Sequence, residues 1–366
     1  MRISADVGPT WHPALPLPPY DNSTLPSLRN SIRNTITRSP LSHRFWHNDP
    51  DCLLLGRTTR LTDDEVTSAA TVVGMTGGTL LLSDDLGRLL EKKRGKEEVR
   101  LGIGEKVWPV TGAVAQVLDL HSCGGEGGGS SSWRGKGIPR LLRLCCSDDN
   151  HGGASEIDFS RSRVRSHITV AKGLGTWLAV SVSNWSDKVR VVEAPPSCFF
   201  FEKEEVEIGD RGEPGYHVFE FWSSEYVWSP DARLQCGNRT SIVCTTLRPH
   251  QSKIFHIKTV TPSTPQYIGG DIHFTCGYEV AEFRTATRGE VYLQMKTYAV
   301  RTGFVYLYLP KGDRGGADGI QATTNGKKTR IEVVDRIPLY AGLVVRVHME
   351  ICANGTEKDG VVTVSF

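Results

Sequence analysis

The sequence predicts an α/β segment followed by antiparallel β domains. Three observations predict it. Short apolar runs alternate with capped helices over the first hundred residues, as in a parallel α/β layer. From about Val107 onward, short β-prone runs are separated by turn residues, as in a sandwich. Thr261-Pro262-Ser263-Thr264-Pro265 reads as a linker before a second β region. The boundaries expected from these shifts are 1–106, 107–260 and 261–366. A chain of 366 residues has room for these segments at ordinary domain sizes.

The elements follow in order. Asp21-Asn22-Ser23-Thr24 offers caps before Leu25, Leu28, Ile32 and Ile36, which share one helical face. Pro40 ends that helix. Cys52-Leu53-Leu54-Leu55 is a short apolar segment. Thr62-Asp63-Asp64-Glu65 has the form of a capping box, with Thr at the cap and Glu three residues on. Val66, Ala69, Ala70 and Val73 continue that helix's buried face, and Gly77-Gly78 stops it. Thr79 to Leu82 is an apolar strand. Ser83-Asp84-Asp85 then caps a further helix through Leu90.

The β region opens with strand-like stretches at Val114 to Leu118 and Leu141 to Leu144. Between them, Ser122 to Gly137 is a Gly/Ser-rich loop. It is not a phosphate loop, because no Gly-Lys-Ser/Thr follows it. Further strands are expected at Trp177 to Ser183, Val189 to Val192, His217 to Trp222, Ile242 to Thr245 and Lys253 to Thr259. Beyond the linker, strands are expected near Asp271, Val291, Phe304, Ile320, Ile331, Val344 and Val362.

Charge and apolar content exclude several classes. Lys+Arg 43 against Asp+Glu 41 leaves a net charge of +2, which gives no electrostatic reason to seek nucleic acid or an anionic membrane. No apolar run reaches the roughly 20 residues of a membrane span. Met1 to Tyr20 lacks a basic region followed by an apolar one, so it does not read as a signal peptide. The 9 cysteines include no C-x-x-C, which argues against common zinc modules, and most are expected as buried thiols. Cys236 and Cys244 could face each other across a hairpin. Asn22, Asn184, Asn238 and Asn354 each head an N-x-S/T acceptor. Lys92-Lys93-Arg94 reads as a solvated helix end.

Three acidic clusters could carry chemistry. They are Asp6 in Arg2-Ile3-Ser4-Ala5-Asp6, Asp49 and Asp51 after Phe45-Trp46-His47-Asn48, and Ser83-Asp84-Asp85. Residue types favour the middle one, where paired carboxylates follow a Trp that can stack on a sugar. The plainer alternative is a turn around Pro50, with each Asp capping backbone donors.

The order R-x-x-x-D, then F-W-H-N-D-P-D-C-L, then a glycine turn and L-L-S-D-D-L resembles the clan of α-galactosidases. Glycoside hydrolase family 36 is the best match, its fungal members especially, and family 27 shares the N-D-P-D element. The resemblance continues through Thr111-Gly112 to Leu120, Ser183-Asn184-Trp185-Ser186-Asp187, His217 to Trp222 and Pro249 to Ile257. It holds to the region of Val280 and is thin beyond Val300.

The resemblance implies the C-terminal part of a (β/α)8 TIM barrel followed by antiparallel β-sandwich domains. It implies a retaining enzyme acting on terminal α-galactosides such as melibiose or raffinose, with no cofactor and no metal. Asp6 takes the general acid/base role, and Arg2 contacts the bound galactose. Both would sit at the C-terminal end of the sixth barrel strand, where barrel enzymes place catalytic groups. Asp49 and Asp51 would follow the seventh strand as the pocket floor. Trp46 either shapes the pocket wall or packs in the barrel. The family's nucleophile lies upstream of the R-x-x-x-D motif, in a segment these residues do not include. Met1 then matches a methionine inside the family's chain, and any signal peptide would lie further upstream. The 366 residues alone are therefore expected to be inactive. Family members are often oligomeric. A raffinose-synthase-type galactosyl transferase shares the covalent intermediate and stays open. So does a non-catalytic β-sandwich protein binding glycans or a partner, in which Trp222, Tyr226 and Trp228 either pack in the core, the plainer reading, or stack on sugars.

Overall fold

The computed structural model describes residues 1–3, 6–13, 25–41, 45–56, 59–76, 79–85, 96–107, 157–164, 173–175, 177–194, 215–229, 234–236, 239–241, 243–286, 289–296, 301–310, 319–337, 342–351 and 360–366. The Gly/Ser-rich loop, the expected strands at Val114 and Leu141, the helix through Leu90 and Lys92-Lys93-Arg94 lie outside the described residues. So do three of the N-x-S/T asparagines: Asn22, Asn238 and Asn354. Contacts divide the chain into two compact units. The first comprises Met1–Val164, Val180–Ala194 and Cys244–Ile254. The second comprises Arg165–Ala179, Pro195–Val243 and Phe255–Phe366. Most described elements are strands, in mainly antiparallel sheets, with few helices.

The first unit opens with alternating strand segments and helices. Helix α1 spans Leu28–Arg38 and buries Leu28, Ile32 and Ile36. Its cap is Ser27, whose side chain accepts from Asn30 N, and not the expected Asp21 to Thr24. A 3-10 turn at Ser39–Leu41 includes Pro40, which cannot continue the backbone ladder. Helix α2 spans Asp63–Thr76. Its capping box is formed in both directions: Glu65 Oε2 accepts from Thr62 N at 2.7 Å, and Thr62 Oγ1 accepts from Glu65 N at 3.3 Å. Val66, Ala69, Ala70 and Val73 are buried as expected, but so are Val72 and Met75. A helix covered on most sides needs more than one apolar stripe. Helix α3, Lys96–Val107, packs on α2, and α2 packs on α1. Arg100 of α3 is buried, with Nε 2.7 Å from Asp63 Oδ1, while its Nη2 donates to Leu61 O at 2.6 Å.

The strand segments between these helices pair in parallel. Arg2 bridges Asp49 in parallel. Strand β1, Cys52–Leu53, pairs in parallel with β2, Leu81–Leu82. One helix lies between each successive pair of segments, so the order is βαβαβ, the connection that parallel pairing requires. Leu53 is buried at 1% exposure, whereas Leu81 and Leu82 are 46% and 43% exposed. The apolar strand expected at Thr79 to Leu82 thus pairs with β1 over Leu81–Leu82, where its side chains are exposed.

The remaining strands follow in chain order: β3 Ile157–Val164, β4 Trp177–Asn184, β5 Arg190–Ala194, β6 Tyr216–Glu220, β7 Glu225–Ser229, β8 Leu234–Cys236, β9 Arg239–Ser241, β10 Val243–Leu247 and β11 Ser252–Thr259. All five strands expected between Trp177 and Thr259 are present. In the first unit, the Val180–Asn184 part of β4 meets the start of β11, where Ser183 Oγ and Ser252 Oγ are 2.6 Å apart.

The second unit holds β6, β7 and Phe255–Thr259 of β11 as an antiparallel set. It continues with β12 Gln266–Gly270, β13 Val280–Ala286, β14 Glu290–Met295, β15 Arg301–Leu309, β16 Gln321–Thr324, β17 Lys327–Lys328, β18 Ile331–Ile337, β19 Gly342–Ile351 and β20 Val361–Ser365. One sheet runs β12-β15-β19-β18 and the other β13-β14-β20-β16-β17. In β14 and β20 every second residue is buried, the pattern of a sheet covered on one face. The expected strand near Asp271 ends at Gly270, and β13 was not expected. Just past the strand, Asp271 N donates to Phe304 O at 3.3 Å and its Oδ1 accepts from Phe304 N at 2.9 Å.

Candidate functional site

The expected site residues Arg2, Asp6, Asp49 and Asp51 come together in the first unit. The parallel bridge sets their spacing. Ile3 N donates to Asp49 O at 3.2 Å, and Asp49 N donates to Met1 O at 2.9 Å. This ladder brings the start of the chain beside Asn48-Asp49-Pro50-Asp51. Arg38 at the end of α1 donates through Nη1 to Ile3 O and holds the same segment from the helix side.

Arg2 is the hub. Its Nη1 lies 2.7 Å from Asp51 Oδ2 and 3.3 Å from Asp6 Oδ1, and its Nε lies 3.6 Å from Asp49 Oδ2. One guanidinium therefore faces three carboxylates. The carboxylates differ in setting. Asp51 is the most enclosed, with a side chain 12% exposed, whereas that of Asp6 is 81% exposed. Asp51 Oδ2 also accepts from Val7 N at 2.7 Å, and its Oδ1 accepts from Cys52 N at 2.9 Å. Asp49 Oδ1 accepts from Asp51 N at 2.9 Å, which closes the turn around Pro50. Asp49 and Asp51 thus brace backbone donors, as the turn alternative holds, and also fix Arg2. Asp6 is the carboxylate left facing outward.

Trp46 is half-buried. Its Nε1 donates to Asn48 Oδ1 at 2.9 Å, and Asn48 Nδ2 donates to Arg38 O at 2.9 Å. The ring is thereby tied to the strand that carries Asp49. Cys52 accepts from Ser83 Oγ through Sγ at 3.0 Å. Partial burial raises the thiol's pKa, and the nearby Asp51 charge adds to the rise against the Ser83 hydrogen bond.

The helix that the third cluster is expected to cap lies outside the described residues, but the cluster has a second set of contacts. Asp84 accepts from Leu55 N at 2.6 Å and from Gly56 N at 2.7 Å. It braces the chain after β1 through a long-range contact that spacing could not show.

Two further residues singled out in the sequence are placed. Asn184 is 1% exposed, and its Nδ2 contacts the carbonyls of Lys188, Leu247 and Arg248. It is a structural bracket whose amide is used inside the fold, where a glycan would have no room. Tyr226 OH lies 2.8 Å from His217 Nδ1, and its ring stacks on Tyr306 at 6.3 Å, so it packs and does not present a sugar face. Cys244 is disulfide-bonded, and Cys276 is a buried free thiol.

Sequence reasoning also missed a cluster of His12, Asp187 and His250 in the first unit. Its members are far apart in the chain, so no local spacing marks them. The one signal was that Ser183 to Asp187 and Pro249 to Ile257 each stood out as motif-like segments.

No family model matches the chain. Among solved structures, the chain is similar to the α-galactosidase MEL1 of Saccharomyces cerevisiae, at 15% identity and a TM-score of 0.45, over 71% of this chain and 59% of that one. A structure described as Saccharomyces cerevisiae α-galactosidase with raffinose gives 17% identity and a TM-score of 0.44, over 70% and 59%. α-Galactosidase I of Mortierella vinacea gives 14% and 0.43, over 70% and 52%. The chain thus spans little more than half the length of these proteins. All these TM-scores lie below 0.5, and the functional reading rests instead on the motif order and the carboxylate geometry. No described helix is long and apolar enough to cross a membrane.

Proposed function

We propose that the chain carries the acid/base part of a retaining α-galactosidase site of the family 36 type, similar to fungal members. The substrates would be terminal α-galactosides such as melibiose or raffinose. The observation that carries this reading is the Arg2 hub. The two motifs picked out in the sequence are brought onto one guanidinium by a parallel bridge, at the ends of successive βα units. That arrangement supports the C-terminal part of a (β/α)8 barrel, in which functional groups gather at strand ends. The segments 1–106, 107–260 and 261–366 would then be the barrel part and two β modules.

In this reading Asp6 protonates the departing glycosidic oxygen and later takes a proton from the water that releases galactose. Its outward position leaves it free to reach that oxygen. The attacking carboxylate would stand about 5 to 5.5 Å from it in a retaining site. Arg2 would donate to galactose hydroxyls while Asp51 and Asp49 hold it in place. Trp46 would close one wall. The double displacement uses no cofactor.

Saturation-transfer NMR with methyl α-galactoside tests the reading on the 366-residue chain. Transfer is expected with the galactoside, weaker with methyl α-glucoside, and lost in Arg2→Ala. Transfer that persists unchanged in Arg2→Ala would assign sugar binding to the β region and overturn this site.

A further inference from the structure

The first unit holds a second constellation, separate from the Arg2 hub. His12, Asp187 and His250 converge from three chain segments. Asp187 Oδ1 lies 2.9 Å from His12 Nε2 and 2.8 Å from His250 Nε2. The three ligand atoms all lie within 4.8 Å of one another. Behind them, Glu65 Oε1 lies 2.7 Å from His250 Nδ1.

The support for this group is rigid. Glu65 is 5% exposed and is fixed by its capping-box contact to Thr62 N. Trp11 stacks on the His250 ring at 4.2 Å with an interplanar angle of 15°, and Trp185 meets Trp11 edge-on at 6.5 Å. Ser68 Oγ donates to His250 O at 2.5 Å. His250 itself stands at φ +61°, in the left-handed region that His enters more readily than most side chains. In contrast, the side chains of His12 and Asp187 are 49% and 69% exposed, so the cluster opens to solvent on that side.

We propose that His12 Nε2, His250 Nε2 and Asp187 Oδ1 form a binding site for a divalent transition metal of the zinc class, with Glu65 orienting His250 from behind. Two imidazoles and one carboxylate are a three-ligand zinc set that leaves a fourth position for water or another ligand. Imidazole ligands select zinc-like ions over calcium or magnesium, which prefer all-oxygen sites. A carboxylate on the far nitrogen of a ligating histidine fixes its tautomer and ring orientation. Glu65 does this for His250: with Nδ1–H directed at Glu65, the Nε2 lone pair points into the cluster. Ligand bonds of about 2.0–2.1 Å in a tetrahedron put ligand atoms roughly 3.3 Å apart. The present contacts would therefore open by about half an ångström on binding. The exposed His12 and Asp187 can make that adjustment while His250 stays fixed.

The test is a titration of the metal-free chain with Zn²⁺ by calorimetry, and with Co²⁺ by visible absorption. One ion per chain is expected at this cluster, with the visible band of low-coordinate cobalt. His12→Gln and Asp187→Asn are expected to weaken binding about 100-fold, and Glu65→Gln about 10- to 100-fold. His12 is half-exposed, so its substitution should leave the thermal unfolding of the metal-free chain unchanged. That keeps a folding defect from passing as a binding defect. Failure of Zn²⁺ to bind the wild-type chain would overturn the site. So would equal affinity in wild type, His12→Gln and Asp187→Asn. Either result would leave the cluster as an ion-pair network.

Discussion

Arg2 Nη1 lies 2.7 Å from Asp51 Oδ2, and Asp51 holds that contact from a backbone at φ +75°. The left-handed conformation turns the Asp51 carboxylate toward Arg2 and Val7 N together. Asp is among the few non-glycine residues that tolerate it. Asp51→Ala should therefore lose both the charge-assisted contacts and the conformational fit. A destabilisation of roughly 2–4 kcal/mol is expected in urea unfolding. Asp51→Asn keeps an acceptor and the backbone preference, and should lose clearly less. Equal losses for the two variants would show that neither the conformation nor the acceptor matters.

Asp84 is expected to matter for stability although it is distant in sequence from what it braces. Leu55 and Gly56 are both buried, so Asp84→Ala strands two backbone donors. The expected cost is about 2–4 kcal/mol, because hydrogen bonds to a charged acceptor exceed neutral ones. Asp85→Ala serves as the neighbouring comparison. A loss below about 0.5 kcal/mol for Asp84→Ala, the level of an ordinary surface change, would contradict the bracing role.

These cases show what was legible in the sequence. The helices at Leu28 and Asp63 were readable because apolar spacing and capping are local signals. Thr62 and Glu65 formed their box as expected, for that reason. The strands from Trp177 to Thr259 were readable from β-prone runs with turn signals. The contacts of Asp84 with Leu55 N and Gly56 N were not readable, because spacing cannot reveal a partner so far along the chain. Asn184 was read as an acceptor motif because its burial depends on the carbonyls of Leu247 and Arg248. Within the site, the motif order pointed to Arg2, Asp6, Asp49 and Asp51 as a group. It could not rank their exposure, which separates the outward Asp6 from the enclosed Asp51.

Asn184 gives a further prediction. Peptide mapping by mass spectrometry after expression in a glycosylating host should find Asn184 unmodified. Asn184→Asp places an acceptor against the carbonyls of Lys188, Leu247 and Arg248, and should destabilise more than Asn184→Ala. A glycan at Asn184 would contradict the buried bracket.

The second unit carries a pH signature from two buried groups. Burial raises Glu279 to about 7 despite its hydrogen bond from Tyr267. Burial lowers Lys258 to about 7. Between pH 4.5 and 7 the folded state holds a proton on Glu279 that the unfolded state releases. Stability from Glu279 is thus present below pH 4.5 and lost as pH rises through 7. Lys258 works in the next window: the unfolded state holds the extra proton, so its contribution rises from about pH 7 to 10.5. Glu279→Gln should remove the acid-side slope, on the order of 3 kcal/mol, and leave the alkaline one. The amide can still accept from Gly277 N and donate to the Tyr267 oxygen. Denaturant unfolding from pH 4 to 10 measures both slopes. An unchanged acid-side slope in Glu279→Gln would contradict the assignment.

The most direct measurement on the proposed α-galactoside site is phenol release from phenyl α-galactoside by the purified 366-residue chain, with and without sodium azide. In the proposed site azide would attack the anomeric carbon in place of the family's attacking carboxylate, and the departing phenolate oxygen would take its proton from Asp6. The expected result is no release without azide. With azide, galactosyl azide should form, and Asp6→Ala should abolish it. No galactosyl azide from the wild-type chain, or formation that persists in Asp6→Ala, would contradict Asp6 as the acid. Release without azide that depends on Asp6 would show that these residues already contain the attacking carboxylate.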